Sequence, residues 1–198
     1  MKKILVLGPQ EIMPPTDGGR EGIHGAIKAL AKITEVIYAY PTLSFDNCIS
    51  SKYLDIGVSP LPIIFEPKEQ ALFILKCLLR LVPYKFEKYS CKTALLSYES
   101  NLMYEEFDAI LCCHPHMFRV AEFLKIKNDW SCPIILREHN IEYLLVKGYA
   151  KSLTGIKKLA ALIMAKITEY EEKAIWARAD GVAFLTSTDL QAANKGKS

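Results

Sequence analysis

Residues 3–40, KILVLGPQEIMPPTDGGREGIHGAIKALAKITEVIYAY, read as strand, glycine loop, helix and strand. Ile4–Leu7 is an unbroken apolar run, the pattern of a strand buried on both faces of a parallel sheet. Gly8-Pro9 ends it, and the loop through Pro14-Pro15 and Asp17-Gly18-Gly19-Arg20 cannot continue it. Ile23, Ala26, Ile27 and Leu30 then recur at helical spacing, and Glu35–Ala39 reads as the next strand. The unit is βαβ, with a right-handed crossover expected.

The place of the loop gives it chemical weight. In open parallel sheets, ligands bind beyond the carboxyl ends of the strands. Gly18 and Gly19 let backbone N–H groups approach a ligand, and the helix behind them turns its positive end toward an anion. The same residues also read as a plain strand-to-helix turn. No G-x-G-x-x-G follows the strand, which argues against a nicotinamide cofactor.

The alternation continues along the chain. Val58–Phe65 is β-like, but Pro60 and Pro62 deny it two ladder donors and assign it to a sheet edge. Pro41–Lys52 reads as irregular. Pro67 reads as opening a helix that runs to about Val82 and stops at Pro83, and Tyr89–Met103 reads as a second helix. Asp108–Cys113 and Pro133–Leu136 are buried strands, and Phe118–Lys127 and Ile156–Ala177 are helices. Ala179–Thr186 is the last strand, with Ser187 or Thr188 capping a final helix. The class is α/β, with a mostly parallel sheet and a helical insertion near residues 67–103.

At 198 residues, 51% hydrophobic and 24% charged, the chain suits one full core and is short for two α/β domains. A net charge of +3, with no stripe of Lys and Arg interleaved with aromatics, leaves no nucleic-acid footprint. Met1-Lys2-Lys3 leads into too short an apolar run for a signal peptide. Ala71–Val82, broken by Lys76 and Arg80, is too short and too charged to span a bilayer. The six cysteines form no C-x-x-C, so reduced thiols in the cytoplasm are expected. Gly196-Lys197-Ser198 looks like the tail of a P-loop, but the glycine that motif requires would fall at Gln191, so the match is set aside.

Four polar loops follow strands: Asp17–Arg20, His114–His116, Arg137–Asn140 and Thr186–Asp189. Strands of one parallel sheet would bring them to one rim. His114 and His116 can bind or polarise a hydroxyl, since histidine titrates near neutrality, or can simply form a helix-capping turn. Arg137 can hold an anion in its fork and Glu138 can accept from sugar hydroxyls. The alternative there is a local ion pair with Asn140 capping the next helix, and Glu142 stands where a capping-box partner would. A metal on Cys112, Cys113, His114 and His116 is disfavoured, because strand alternation points the two cysteines to opposite faces. Along Leu153–Ala177, Leu159, Leu162, Ile163 and Ile167 form an apolar stripe among Lys157, Lys158 and Lys166. It reads either as a core-facing stripe with a solvated back or as a basic helix resting on an anionic membrane. The segment 71–82 carries the same ambiguity.

Four stretches together resemble a known family. They are Pro14-Pro15 through Gly18-Gly19 with the helix ending Ala29-Leu30; Phe107–Ile110 leading to His114-Pro115-His116; His139-Asn140-Ile141-Glu142; and Ala177–Val182 leading to Thr186-Ser187. In this order they resemble the N-terminal half of a GT-B glycosyltransferase of the large retaining family-four type. The resemblance implies a Rossmann-like three-layer domain over residues 1–198 that binds the acceptor, with a donor-binding C-terminal domain absent from the chain. It implies a full-length enzyme that moves a sugar from a nucleotide-sugar donor to a polysaccharide or glycolipid acceptor, this fragment alone being inactive.

In that scheme Gly18 and Gly19 contact the donor diphosphate, and His114, with His116 as substitute, is the catalytic histidine beside the transferred sugar. Arg20, Arg137, Glu138, His139, Asn140 and Ser187 complete the substrate contacts expected from the rim. No metal and no cofactor beyond the nucleotide-sugar co-substrate is expected. The location expected from the cysteines and the short apolar run is cytoplasmic, with peripheral contact at the inner face of the membrane as the alternative that the basic helix offers. A contrasting expectation is a non-enzymatic, flavodoxin-like binding module, though that would want acidic residues where Gly8-Pro9-Gln10-Glu11 stands.

Overall fold

The computed structural model describes residues 1–44, 46–65 and 71–194. Its strands are β1 (Lys3–Leu7), β2 (Glu35–Thr42), β3 (Val58–Ile64), β4 (Ala109–Cys113), β5 (Ile134–Glu138) and β6 (Gly181–Phe184). The described helices are α1 (Gly18–Leu30), α2 (Asn47–Leu54), α3 (Ala71–Leu79), α4 (Tyr84–Ser90), α5 (Lys92–Leu102), α6 (Phe118–Lys127), α7 (Glu142–Ala150), α8 (Gly155–Arg178) and α9 (Ser187–Asn194).

The six strands form one sheet in the order β3-β2-β1-β4-β5-β6, and every pairing is parallel. The sheet expected to be mostly parallel is wholly so. This is the doubly wound order whose direction reverses between β1 and β4, and the crevice at that switch point is where such sheets take ligands. A flavodoxin-like sheet would run 2-1-3-4-5, so the alternative module is not this fold. β3 lies at the edge, as its two prolines require.

Strand alternation splits the core into two layers. Leu5, Leu7, Ile110, Cys112 and Leu136 pack against α4, α5, α6 and the end of α8. Val6, Val36, Tyr38, Tyr40 and Cys113 pack against α1 and α2. Cys112 and Cys113 thus point to opposite faces, and all six cysteines are unpaired. Each large apolar side chain fully buried this way contributes about 1.5–3 kcal/mol.

The loop from β1 to α1 is held at its base by α2 and β2. Tyr53 Oη accepts the Ile12 amide at 3.0 Å, and Tyr38 Oη donates to the Gln10 carbonyl at 2.8 Å. Gly8 is required here, since a Cβ would sit 2.0 Å from that Tyr38 oxygen.

Several elements differ from their sequence readings. Asn47–Leu54 is helical, capped by Asp46, which accepts the Cys48 amide at 2.8 Å. Of that helix only Tyr53 is buried, so no apolar period announced it. The Pro67 helix start lies outside the described residues. α3 ends at Leu79, before Pro83, and Leu81 turns the chain with φ of 52°. Pro83 instead precedes α4, and extended backbone at Cys91 divides the expected 89–103 helix between α4 and α5. α9 is capped by Thr186, whose hydroxyl accepts the Asp189 amide at 3.0 Å, rather than by Ser187 or Thr188. The Gly196–Ser198 tail is outside the described residues.

Candidate functional site

The glycine loop is shorter than its sequence suggests. α1 begins at Gly18 itself, with Asp17 as N-cap accepting the Arg20 amide at 2.9 Å. Gly18 and Gly19 are therefore the first turn of the helix. A Cβ on Gly18 would meet nothing within 4 Å, which leaves that approach open. Arg20 turns back on its own loop, Nε lying 3.3 Å from Asp17 and Nη1 donating to Thr16 at 3.2 Å. Asp17 thus holds the positive end of the helix and the nearest cation together.

The carboxyl ends of β4 and β5 carry a file of four rings. His139 stacks on His114 at 5.0 Å with planes 10° apart, His114 stacks on His116 at 5.1 Å, and His116 stacks on Tyr89 of α4 at 4.8 Å. Phe86 closes on His116 edge-on. The file begins against α1: a Cβ on Gly22 would fall 2.8 Å from the His139 ring. The glycine that the packing demands is Gly22, one turn beyond the pair that the sequence singles out. His114 adopts φ of 102°, a conformation costly for a residue with a Cβ and one that clusters at functional sites.

Burial sets the charge of the file. His116 is 5% exposed, neither ring nitrogen has a hydrogen-bond partner among the described residues, and its pKa is driven well below the ordinary histidine value, by burial first and then by His114. Burial, His114 and the Arg137 guanidinium likewise lower His139 to about 4, against weaker pulls from Asp17 and the Gly19 backbone. Both rings are neutral at physiological pH. His116 lies too deep to meet a substrate, so the sequence's second catalytic candidate is an internal packing residue, and His114 stands at the rim.

Behind His114 lies Glu142, the first residue of α7. Its Oε1 is 3.7 Å from His114 Nδ1, and its Oε2 accepts from Lys85 Nζ at 2.7 Å. Burial alone would raise the Glu142 carboxyl; the histidines and Lys85 outweigh it and hold it at about 2. Lys85 is the firm partner, since 3.7 Å is an ion-pair distance rather than a hydrogen bond. Ring nitrogens of His114 and His116 and a Glu142 oxygen lie within 4.8 Å of one another, the donor set of a metal site. The two near-parallel rings keep their lone pairs in separate planes, which converges poorly on one ion.

Arg137 and Glu138 part company by strand alternation. Arg137 Nη2 donates to the Gly22 carbonyl at 3.0 Å, while its Nη1 is buried without a partner among the described residues. Glu138 faces the other layer, fully buried, and accepts from Trp176 Nε1 at 2.8 Å. It is a core group, not the sugar contact expected of it. Burial first, then neighbouring carboxylates including Glu172, push its pKa upward. Glu172 is raised by burial too, although it accepts the Glu142 and Tyr143 amides at 2.7 and 3.1 Å and so caps α7. With two donors against one, Glu172 is the better placed of the pair to keep its charge.

The rim therefore unites Gly18, Gly19, His114, Arg137 and His139 and excludes Glu138. Asn140 is exposed, one residue before the Ile141 N-cap, and the capping expected of it falls to Glu172. Ser187 is exposed beyond β6, at the far edge of the sheet. Lys85, Tyr89, Glu172 and Gly22 carry no local signal that would have placed them here. A cavity of about 380 Å³ among Glu105, Phe107, Asp129 and Trp130 opens at the opposite end of the sheet, away from these residues.

No family model matches the chain, and no curated protein matches it. Among solved structures it is similar to that of Anabaena HepE in complex with UDP and glucose, at 10% identity and a TM-score of 0.43, over 100% of this chain and 50% of that one. The chain spans about half the length of that protein.

Proposed function

We propose that this chain is the acceptor-binding half of a glycosyltransferase that moves a sugar from a nucleotide-sugar donor to a polysaccharide or glycolipid. The observation that carries the reading is the joining of His139, His114 and Arg137 to the first turns of α1 at the switch point of the sheet. In this reading Glu142 steadies the His114 ring through Nδ1, leaving Nε2 to donate to or accept from a sugar hydroxyl. Arg137 Nη1 takes an anionic or carbonyl oxygen. The open first turn at Gly18 and Gly19 receives a phosphate, with Asp17 giving way to it. A second domain would supply most of the donor contacts, and no resident metal is required.

Saturation-transfer NMR of the purified chain against free and lipid-linked oligosaccharides tests the proposal. Transfer to at least one saccharide is expected, and His114→Ala should abolish it. Absence of transfer across the set would overturn the assignment. Turnover of a nucleotide sugar by the 198-residue chain alone would contradict its reading as half of an enzyme.

A further inference from the structure

Positive charge is distributed very unevenly over this molecule. Residues 71–85 and 143–168 together hold eight Lys or Arg and no Asp or Glu. With 25 basic and 22 acidic residues in the chain, the remainder carries 17 of the former and all 22 of the latter. Lys76, Lys147, Lys151, Lys157 and Lys158 are exposed and have no acidic partner among the described residues.

The same segments expose aliphatic side chains. Leu79 of α3 is 77% exposed, Ile156 and Leu159 of α8 are 83% and 58% exposed, and Leu144 and Leu145 of α7 are also open. α7 and α3 both pack against α8, so the three helices adjoin. From Gly155 to Leu159 every residue of α8 is exposed. The core-facing stripe is confined to the second half of that helix, where Met164, Ala165, Thr168, Glu172 and Ile175 are buried. Arg80, Lys85 and Lys166 are paired with Glu87, Glu142 and Glu169 at the border of the surface. Aliphatic side chains clustered on a surface mark an interaction site, and the five lysines around them that have no acidic partner among the described residues favour an anionic plane over a protein.

We propose that α3, α7 and the first half of α8 form a surface that docks on an anionic lipid bilayer. The leucines and isoleucines enter the headgroup region, and the lysines extend along them to the phosphates. No described helix is long and apolar enough to cross the membrane, so the contact is peripheral. The proposal stands apart from the sugar-transfer reading, because lipid binding is measured with no sugar present.

Co-sedimentation of the full chain with vesicles of phosphatidylcholine, alone or mixed with phosphatidylglycerol, tests it. Binding is expected to the mixed vesicles and to weaken about tenfold or more between low and high salt. Lys157→Glu with Lys158→Glu should weaken it about tenfold or more, while Lys28→Glu on α1 leaves it unchanged. Circular dichroism confirms that each variant is folded, and Lys76→Glu on α3 gives an independent second variant. Equal binding to neutral and anionic vesicles would overturn the proposal. So would indifference to the charge reversals, or self-association through this face without lipid binding.

Discussion

The ring of His139 occupies the space that a side chain at position 22 would need, so His139 in this place admits only glycine there. Gly22→Ala should cost about 1–3 kcal/mol, the usual range for overpacking. Gly25, three residues on, has nothing within 4 Å of its Cβ position, and Gly25→Ala should gain about 0.5–1 kcal/mol from helix propensity. Urea denaturation of the two variants separates the effects. Equal stabilities would show that His139 does not lie where it is described.

The buried carboxylates set a pH dependence. Glu138 is lifted above its ordinary 4.5 chiefly by burial, so the folded chain holds a proton that the unfolded chain has released. Stability is therefore greatest below about pH 4.5 as far as this group is concerned, and falls as pH rises through neutrality. Glu138→Gln keeps an acceptor for Trp176 and removes the ionisation. Its thermal unfolding should lose this slope and be more stable at pH 8, by on the order of 1–3 kcal/mol.

His139 behaves in the opposite sense. Its depressed pKa of about 4 means that the unfolded chain takes up a proton first as pH falls from 6.5. The stability it contributes is present above 6.5 and is lost toward 4. Nitrogen-15 shifts of the side chain should report a midpoint near 4, and Arg137→Gln should raise it by removing one of the lesser causes after burial.

Much of this was legible in the sequence. Ile4–Leu7, Asp108–Cys113 and Ile134–Leu136 announced central strands by apolar content alone, and the prolines of β3 announced an edge. The rim followed from alternation of strands and helices, because a parallel sheet leaves its loops no other side. What was hidden depends on contacts between distant elements. Glu138 looked like a sugar ligand because it sits among polar neighbours, but alternation after Leu136 turns it inward to Trp176, 38 residues away in sequence. Lys85 and Tyr89 lie in a segment whose helix boundaries differ from the sequence reading, and their partners come from α7 and from the turn after β4.

His114 holds a left-handed φ that a glycine would adopt at no steric cost. His114→Gly should relieve backbone strain of about 1–3 kcal/mol, but it also loses the Glu142 contact and the stacking on His139 and His116. It should be more stable than His114→Ala, which loses the same contacts and keeps the strain, and both variants should lose saccharide binding. A strongly destabilised His114→Gly would make the histidine a structural residue.

The most direct test is a histidine side-chain NMR titration of the chain with free and lipid-linked oligosaccharides. Saturable shifts at His114 and His139, with His116 silent except through its stacked neighbour, are the predicted result. Ligand-induced shifts confined to the opposite end of the sheet, around Glu105 and Trp130, would place any saccharide site elsewhere and contradict the account.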